Sequence, residues 1–227
     1  MELPEAAVAR LFGGRADVAV SPLDFGLGDL LPEERARVER AAPKRQREFA
    51  AGRVCAHRLL RARGIADAPL LPDDERATLW PQGIVGSISH SSGLCVVAIA
   101  ATGELAALGL DLERDDAVRP AVWRRICGAA EVERLRAAPE SERARLASLI
   151  FSAKEATYKC LFPLSRVELG FKQVEIEIDA ATQRFRATLL RATSPLAAEG
   201  DVLQGRYAEH PPWVVTALAI PAARSAS

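Results

Sequence analysis

Long apolar runs are scarce in this chain. The longest near its middle, LCVVAIAA at residues 94–101, is too short to cross a bilayer, so no membrane span is expected. The first residues, MELPEAAVARLFGG, begin with acids. They lack a basic segment followed by an apolar one, so no signal peptide is expected. Cysteine is sparse and scattered: Cys55, Cys95, Cys127 and Cys160, with no C-x-x-C pair. That spacing argues against a zinc site or a disulfide framework and suits a reducing, cytoplasmic setting. Net charge is also missing, since 30 Lys/Arg balance 30 Asp/Glu.

What is present is ordinary globular composition. The 227 residues are 49% hydrophobic and 26% charged, enough for a core in one large domain or two small ones. The charge is unevenly spread. Residues 33–63 hold ten Lys/Arg against four Asp/Glu, a balance of +6, leaving −6 for the rest. Such a segment suits an anionic partner: nucleic acid, a phosphorylated small molecule or an acidic protein. Its only aromatic is Phe49, so it offers no row of platforms on which nucleic-acid bases would stack.

Pro32 and the two glutamates after it predict a helix start, and Pro43 predicts another. The second helix runs to about Gly64. It contains Gly52, at a cost of about 1 kcal/mol relative to alanine, which predicts close approach by another backbone or a ligand. Residues 66–83 read as a loop. The runs IVGSISH and LCVVAIA around Ser91-Ser92-Gly93 predict a hairpin, and LAALGLDLE predicts a third strand. Residues 120–162 are helical in pattern, interrupted by Pro139 and ended by Phe162-Pro163. FKQVEIEID, RFRATLL, LQGRYAEH and WVVTALAI predict an antiparallel meander, with RATSPLAAEGD as a loop within it.

Helices followed by strands, twice over, predict an α+β fold. An internal echo points the same way. FAAGRVCAHRLL (49–60) aligns with FSAKEATYKCLF (151–162), and His90 with the run after it aligns with His210 and WVVTALAI. A duplication would place Arg53 and His57 on one helix, and Glu155 and Lys159 on another, on either side of one cleft. The division is expected at 1–108 and 109–227.

Three stretches carry candidate chemistry. In LGLDLE, Leu108, Leu110 and Leu112 face one way, and Gly109, Asp111 and Glu113 the other. Residues i and i+2 of a strand are about 7 Å apart, so the two carboxylates repel unless a cation or proton lies between them. A hard divalent cation is one solution; a solvated edge strand is the other. In FSAKEATYK, Leu149, Ala153, Ala156 and Cys160 form an apolar stripe, with Glu155 and Lys159 opposite. Glu155 would supply a third carboxylate, and Lys159 and Lys154 would hold phosphate oxygens. The alternative is a solvated helix face with i,i+4 pairs. In GSISHSSG, Ser87, Ser89 and Ser91 share a face and His90 takes the other. His90 is a phosphate-binding or catalytic candidate, or a structural histidine.

G-S-I-S-H, then G-L-D-L-E, then F-S-A-K-E-x-x-Y-K, in that order, resembles the 4′-phosphopantetheinyl transferase superfamily, in its enterobactin/surfactin-synthetase-activating type. The stretch R-Q-R-E-F-A-A-G-R-V-C-A and a W-P-x-G before the serines also match. The resemblance spans roughly residues 40–220. It implies two similar α+β halves about a pseudo-twofold axis, with the active site in the cleft between them.

It also implies roles. Asp111, Glu113 and Glu155 would ligate Mg²⁺, with Mn²⁺ as the alternative ion. Ser89 and His90 would contact coenzyme A, Arg45 and Arg53 would bind its phosphates, and Arg76 would lie near the 3′-phosphate. Lys159 and Lys154 would hold the pyrophosphate. Asp111 would border both metal and coenzyme A, and Glu155 would accept a proton, directly or through water. The implied partners are apo carrier proteins of nonribosomal peptide, polyketide or fatty-acid synthases, served by a monomer. Two other readings stay open: a metal-dependent nucleotide phosphohydrolase using the same carboxylates, and a nucleic-acid-binding protein.

Overall fold

Two antiparallel sheets, each crossed by one long helix, organise the chain. The computed structural model describes residues 3–193 and 197–223. In chain order the elements are α1 (Glu5–Leu11), β1 (Asp17–Pro22), α2 (Pro32–Val38), α3 (Pro43–Ala62), β2 (Ile84–Ser91), β3 (Leu94–Ala101) and β4 (Leu105–Arg114). There follow α4 (Trp123–Ile126), α5 (Ala129–Ala137), α6 (Glu140–Ser165), β5 (Val174–Asp179), β6 (Arg184–Leu189), β7 (Val202–His210) and β8 (Trp213–Pro221). The fold is α+β, as the alternation of helical and strand patterns predicts.

The smaller sheet has the order β1-β3-β2 and the larger β4-β8-β7-β6-β5. The run LCVVAIAA is β3, the centre of the smaller sheet, and both its faces are covered. Cys95, Val97 and Ile99 pack with Ala51, Cys55, Leu59 and Leu60 of α3. Val96, Ala98 and Ala100 pack with Leu108, Leu110 and Leu112 of β4 and with Val8 of α1 and Phe12 after it. A strand buried on both faces reads as a continuous apolar run rather than an alternating one. The sequence patterns gave no sign of α1 or β1, and these elements complete that second core.

Across the larger sheet lies α6. Ala147, Ile150, Ala153, Cys160 and Leu161 meet Ile176, Phe185, Ala187 and Leu189. The expected helix stop at Phe162-Pro163 comes a few residues early, because α6 runs through Pro163 to Ser165. A proline in the last turn removes only its own N–H, and the helix closes where Arg166 turns left-handed (φ 55°) and its N–H meets the Phe162 carbonyl at 2.9 Å. The expected division at 108/109 falls inside β4, which pairs with β8 from Leu105 to Arg114. By hydrogen bonding the whole strand belongs to the larger sheet. Part of the expected loop at 191–201, residues 194–196, lies outside the described residues.

Each long helix is anchored by a buried glutamate from the helix before it. Glu34 of α2 accepts from Leu31 N–H (3.3 Å), Leu70 N–H (2.9 Å) and His57 Nε2 of α3 (2.8 Å). Glu131 of α5 accepts from Gly128 N–H (2.7 Å), Ile176 N–H (2.7 Å) and Lys154 Nζ of α6 (2.7 Å). In both halves the carboxylate caps its own helix from three residues in, takes a backbone N–H from a later segment and fixes a cationic or imidazole donor on the long helix. The two halves thus share a buried arrangement, although it matches His57 with Lys154 where the sequence echo aligns His57 with Lys159.

Candidate functional site

The two sheets meet where β2 runs beside β4, and side chains rather than a backbone ladder join them. Alternation along β2 puts Ser87, Ser89 and Ser91 on the face toward β4. Ser87 Oγ accepts from Leu110 N–H at 3.1 Å and Ser89 Oγ from Leu112 N–H at 3.2 Å. Ser91 Oγ donates to Glu113 Oε2 at 3.0 Å. The serines of SISHS are thus the stitches between the halves. The Trp80 ring lies against Gly86, where an added Cβ would be 2.5 Å from it; this is why the W-P-x-G stretch precedes them.

Gly109 brings the third element in. A Cβ there would stand 2.0 Å from the Ala156 carbonyl oxygen and 2.5 Å from Cys160 N, so α6 seats its backbone directly on β4. One strand pair further, on the same face, is Asp111. The contact drops Lys159 onto it: Lys159 Nζ donates to Asp111 Oδ1 at 2.6 Å and to Ser89 Oγ at 3.2 Å. Ser89 Oγ also donates to Asp111 Oδ1 at 2.9 Å. Asp111 Oδ2 is buried without a hydrogen-bond partner.

The carboxylates feel one another. Burial, then the charges of Asp111 and Glu155, push Glu113 up to about 7, against relief from Ser91 and Lys159. Burial also raises Glu155, with Lys159 opposing and Asp111 adding to the rise. Among the described residues, no three His, Cys, Asp or Glu side chains are drawn close enough to form a ready metal cage. The donor chemistry nevertheless fits a hard divalent cation, because it offers three carboxylates in one field and one buried oxygen with no partner.

Next to this cluster is a cavity of about 610 Å³ whose wall includes Arg37, Arg45, Arg53, Arg76 and His90. Arg45 Nη1 donates to His90 Nε2 at 3.1 Å, which requires a neutral ring. Burial and the nearby Arg45 and Lys159 charges hold His90 below its usual range, with Glu48 opposing them. Arg53 is buried. Its Nε donates to the Leu70 carbonyl at 2.6 Å, its guanidinium lies over the Phe49 ring at 4.3 Å, and burial pulls it down to about 10. At Gly52, in the same wall, an added Cβ would stand 3.0 Å from the Ile88 side chain; the close neighbour is thus a side chain of β2, not the backbone or ligand that its place in mid-helix predicts.

Arg76 (φ 70°) also lines a neighbouring pocket of about 360 Å³ with Ser87, Tyr158 and Lys159. Tyr158 continues into a third, of about 260 Å³, with Glu155, Leu169 and Phe171. The first two concavities share Arg76, Thr78 and Ile88 in their walls and the last two share Tyr158, so the three are neighbours, together called the trough.

Two of the residues singled out in the sequence are engaged elsewhere. Lys154 borders the trough, but its ammonium is spent on Glu131 (2.7 Å) and on the carbonyls of Ile126 (3.0 Å), Phe171 (2.7 Å) and Val174 (2.8 Å). A buried lysine survives charged only when so enclosed, and no donor remains for a phosphate. His57 does not face the cleft either; it is buried against Glu34. Arg37 lines the large cavity and was missed, because one arginine in the basic segment 33–63 carries no distinguishing pattern. Several of those arginines are paired within the fold: Arg58 with Glu5, and Arg63 with Asp17 at 2.5 Å.

Among the described residues, no helix is long and apolar enough to cross a membrane. Residues 33–100 match the family model of the 4′-phosphopantetheinyl transferase N-terminal domain, and residues 107–216 that of the 4′-phosphopantetheinyl transferase superfamily. The 4′-phosphopantetheinyl transferase Svp of Streptomyces mobaraensis is 37% identical over 195 residues, 85% of this chain and 79% of its own length. The 4′-phosphopantetheinyl transferase PptT of Mycobacterium tuberculosis is 34% identical over 197 residues, 84% of this chain and 86% of its own. Enterobactin synthase component D of Salmonella typhimurium is 34% identical over 169 residues, 73% and 68% respectively. The chain belongs to the 4′-phosphopantetheinyl transferase superfamily, enzymes that transfer phosphopantetheine from coenzyme A to carrier proteins.

Proposed function

We propose that the trough is the coenzyme A site of this transferase and that Asp111, Glu113 and Glu155 hold Mg²⁺ beside it. One observation carries this reading: the Lys159–Asp111–Ser89 cluster adjoins a cavity walled by Arg37, Arg45, Arg53 and Arg76. Arginine forks suit phosphate oxygens. Arg45 and Arg53 face the nucleotide phosphates, Arg76 the 3′-phosphate, and Ser89 and His90 the diphosphate. Lys159 is the one lysine of FSAKEATYK with its charge directed at the cluster.

A carrier serine hydroxyl attacks the β-phosphorus of coenzyme A. The new P–O bond forms to the serine, the bond to the bridging oxygen breaks, and 3′,5′-ADP leaves. Lys159 offsets charge on the non-bridging oxygens. Asp111, Glu113 and Glu155 would hold Mg²⁺, which would supply Lewis-acid charge stabilisation there. Glu155 takes the serine proton directly or through a water molecule, the water relay being favoured because a carboxylate bound to a cation is a poor base. The carriers are those of nonribosomal peptide, polyketide or fatty-acid synthases. The site draws on both parts of a single chain, which supports a monomer. We divide those parts at the 102–104 turn, immediately before β4.

The test is intact-mass spectrometry of an apo carrier incubated with coenzyme A, Mg²⁺ and the protein. A gain of one phosphopantetheine arm, lost with Glu155→Ala and with a chelator, is expected. Degradation of coenzyme A without any carrier would restore the phosphohydrolase reading, and no gain on several unrelated carriers would overturn the assignment.

A further inference from the structure

Arg53 reaches the large cavity from a buried position, and what aims it lies outside the cavity. Its Nε is tied to the Leu70 carbonyl at 2.6 Å. Its Nη groups make no hydrogen bond to protein among the described residues, and Arg53 lines the cavity. The same Leu70 residue donates its N–H to Glu34 Oε1 at 2.9 Å. Glu34 Oε1 also takes a hydrogen bond from His57 Nε2 at 2.8 Å, and Glu34 is 0% exposed. His57 stands one helical turn beyond Arg53 on α3. Residue 70, in a segment without regular structure, is thus clamped at both ends of its backbone: its N–H by the dyad, its carbonyl by Arg53.

We propose that Glu34 and His57 are positioning residues for coenzyme A binding, holding Leu70 so that its carbonyl fixes the direction of the Arg53 guanidinium. This rests on the reading of the cavity as the coenzyme A site. The counterpart in the other half supports it. Glu131 takes three donors in the same arrangement, one of them the N–H of Ile176 on β5, a strand already fixed by its pairing with β6. Residue 70 belongs to no strand, so Glu34 supplies the order that a sheet supplies at Ile176. A guanidinium held on its Nε edge presents both Nη groups to a phosphate without first losing rotamer freedom. A Glu34→Gln amide has one acceptor oxygen for three donors, so the clamp loosens while the volume is kept.

The experiment is calorimetric titration of coenzyme A into the wild type, Glu34→Gln, His57→Gln and His57→Leu, each repeated in an Arg53→Ala background, with steady-state kinetics alongside. Glu34→Gln should bind about tenfold more weakly, with KM raised in step and kcat within about twofold of wild type. His57→Gln, which keeps a donor toward Glu34, should bind more tightly than His57→Leu. With Arg53→Ala, Glu34→Gln should cost no further affinity, because its effect runs through Arg53. Additive losses in that background, unchanged affinity in a folded Glu34→Gln protein, or a fall in kcat at constant KM would each overturn the proposal. If Glu34→Gln does not fold, the two His57 variants make the same comparison. A wild type that fails to bind coenzyme A would refute the cavity assignment itself, a result distinct from binding that the variants leave untouched.

Discussion

Lys159 on α6 donates to Asp111 on β4 at 2.6 Å, although 48 residues separate them. The aspartate is nearly buried and the lysine half-buried, so the pair is shielded from solvent screening, and Asp111 keeps a second oxygen with no partner. That arrangement holds a charge in reserve at the junction of the two halves. A substrate phosphate and a cation can take over the two partners without creating an unpaired buried charge.

The two lysines of FSAKEATYK separate in function. Lys159→Ala should lower kcat by about a hundredfold to a thousandfold through lost oxyanion stabilisation; it also leaves buried Asp111 with Ser89 as its remaining side-chain partner, so the urea midpoint should fall, though by less than for the more deeply buried Lys154. Lys154→Met should act on stability alone. It strands buried Glu131, so it should cost about 3–5 kcal/mol of stability while coenzyme A affinity in the remaining folded protein is unaltered. Urea unfolding and calorimetry on both variants check this, and equal effects on both readouts would contradict it.

Gly109→Ala should drive α6 off β4, since the new methyl would fall 2.0 Å from the Ala156 carbonyl. A loss of about 1–3 kcal/mol is expected from the overpacking, together with a loss of transfer activity as Lys159 is carried away from Asp111. Gly103→Ala, where nothing lies within 4 Å, is the control and should leave both unchanged.

Removing one stitch between the sheets should be felt locally. Ser89→Ala leaves Leu112 N–H without its acceptor and should cost about 1–3 kcal/mol. Amide hydrogen exchange at Leu112 should quicken in this variant. Exchange on β5 and β6, far across the larger sheet, should not.

The pH dependence of stability follows from Glu34. Burial alone would raise it, but bonds from His57, Leu70 and Leu31 outweigh burial and hold it below its ordinary 4.5. The folded state then binds fewer protons than the unfolded one between the two pKa values. Its contribution is fully present above pH 4.5 and is lost as the pH falls through the lower, folded value. Glu34→Gln should flatten the decline in urea midpoint below pH 4.5. An unchanged acid slope would show that another group governs it.

Most of the elements were legible in the sequence because local chemistry sets them. Pro43 and Gly64 bound α3, Ser92-Gly93 turns the hairpin, and the 3.6-residue stripe of Leu149, Ala153, Ala156 and Cys160 marks the buried face of α6. The alternation of LGLDLE likewise put Asp111 and Glu113 on one face. Two elements escaped, α1 and β1, because they are short, seven and six residues, and their apolar residues are buried against partners distant in sequence.

The sequence by itself determined which residues were available and, through the order of its motifs, the family they belong to. Only the tertiary structure decided which of them share a site. Lys154 and Lys159 are equivalent as residues in a helical motif, yet five positions on an α-helix rotate a side chain by more than a full turn. One ammonium therefore enters the core beside Glu131, and the other meets Asp111. Arg53 and His57, one turn apart, divide in the same way. Arg53 reaches the cavity, and His57 is held behind it by a glutamate that no local pattern connects to it. Such pairings are fixed by the packing of α3 and α6 on their sheets, through contacts between residues far apart in the chain.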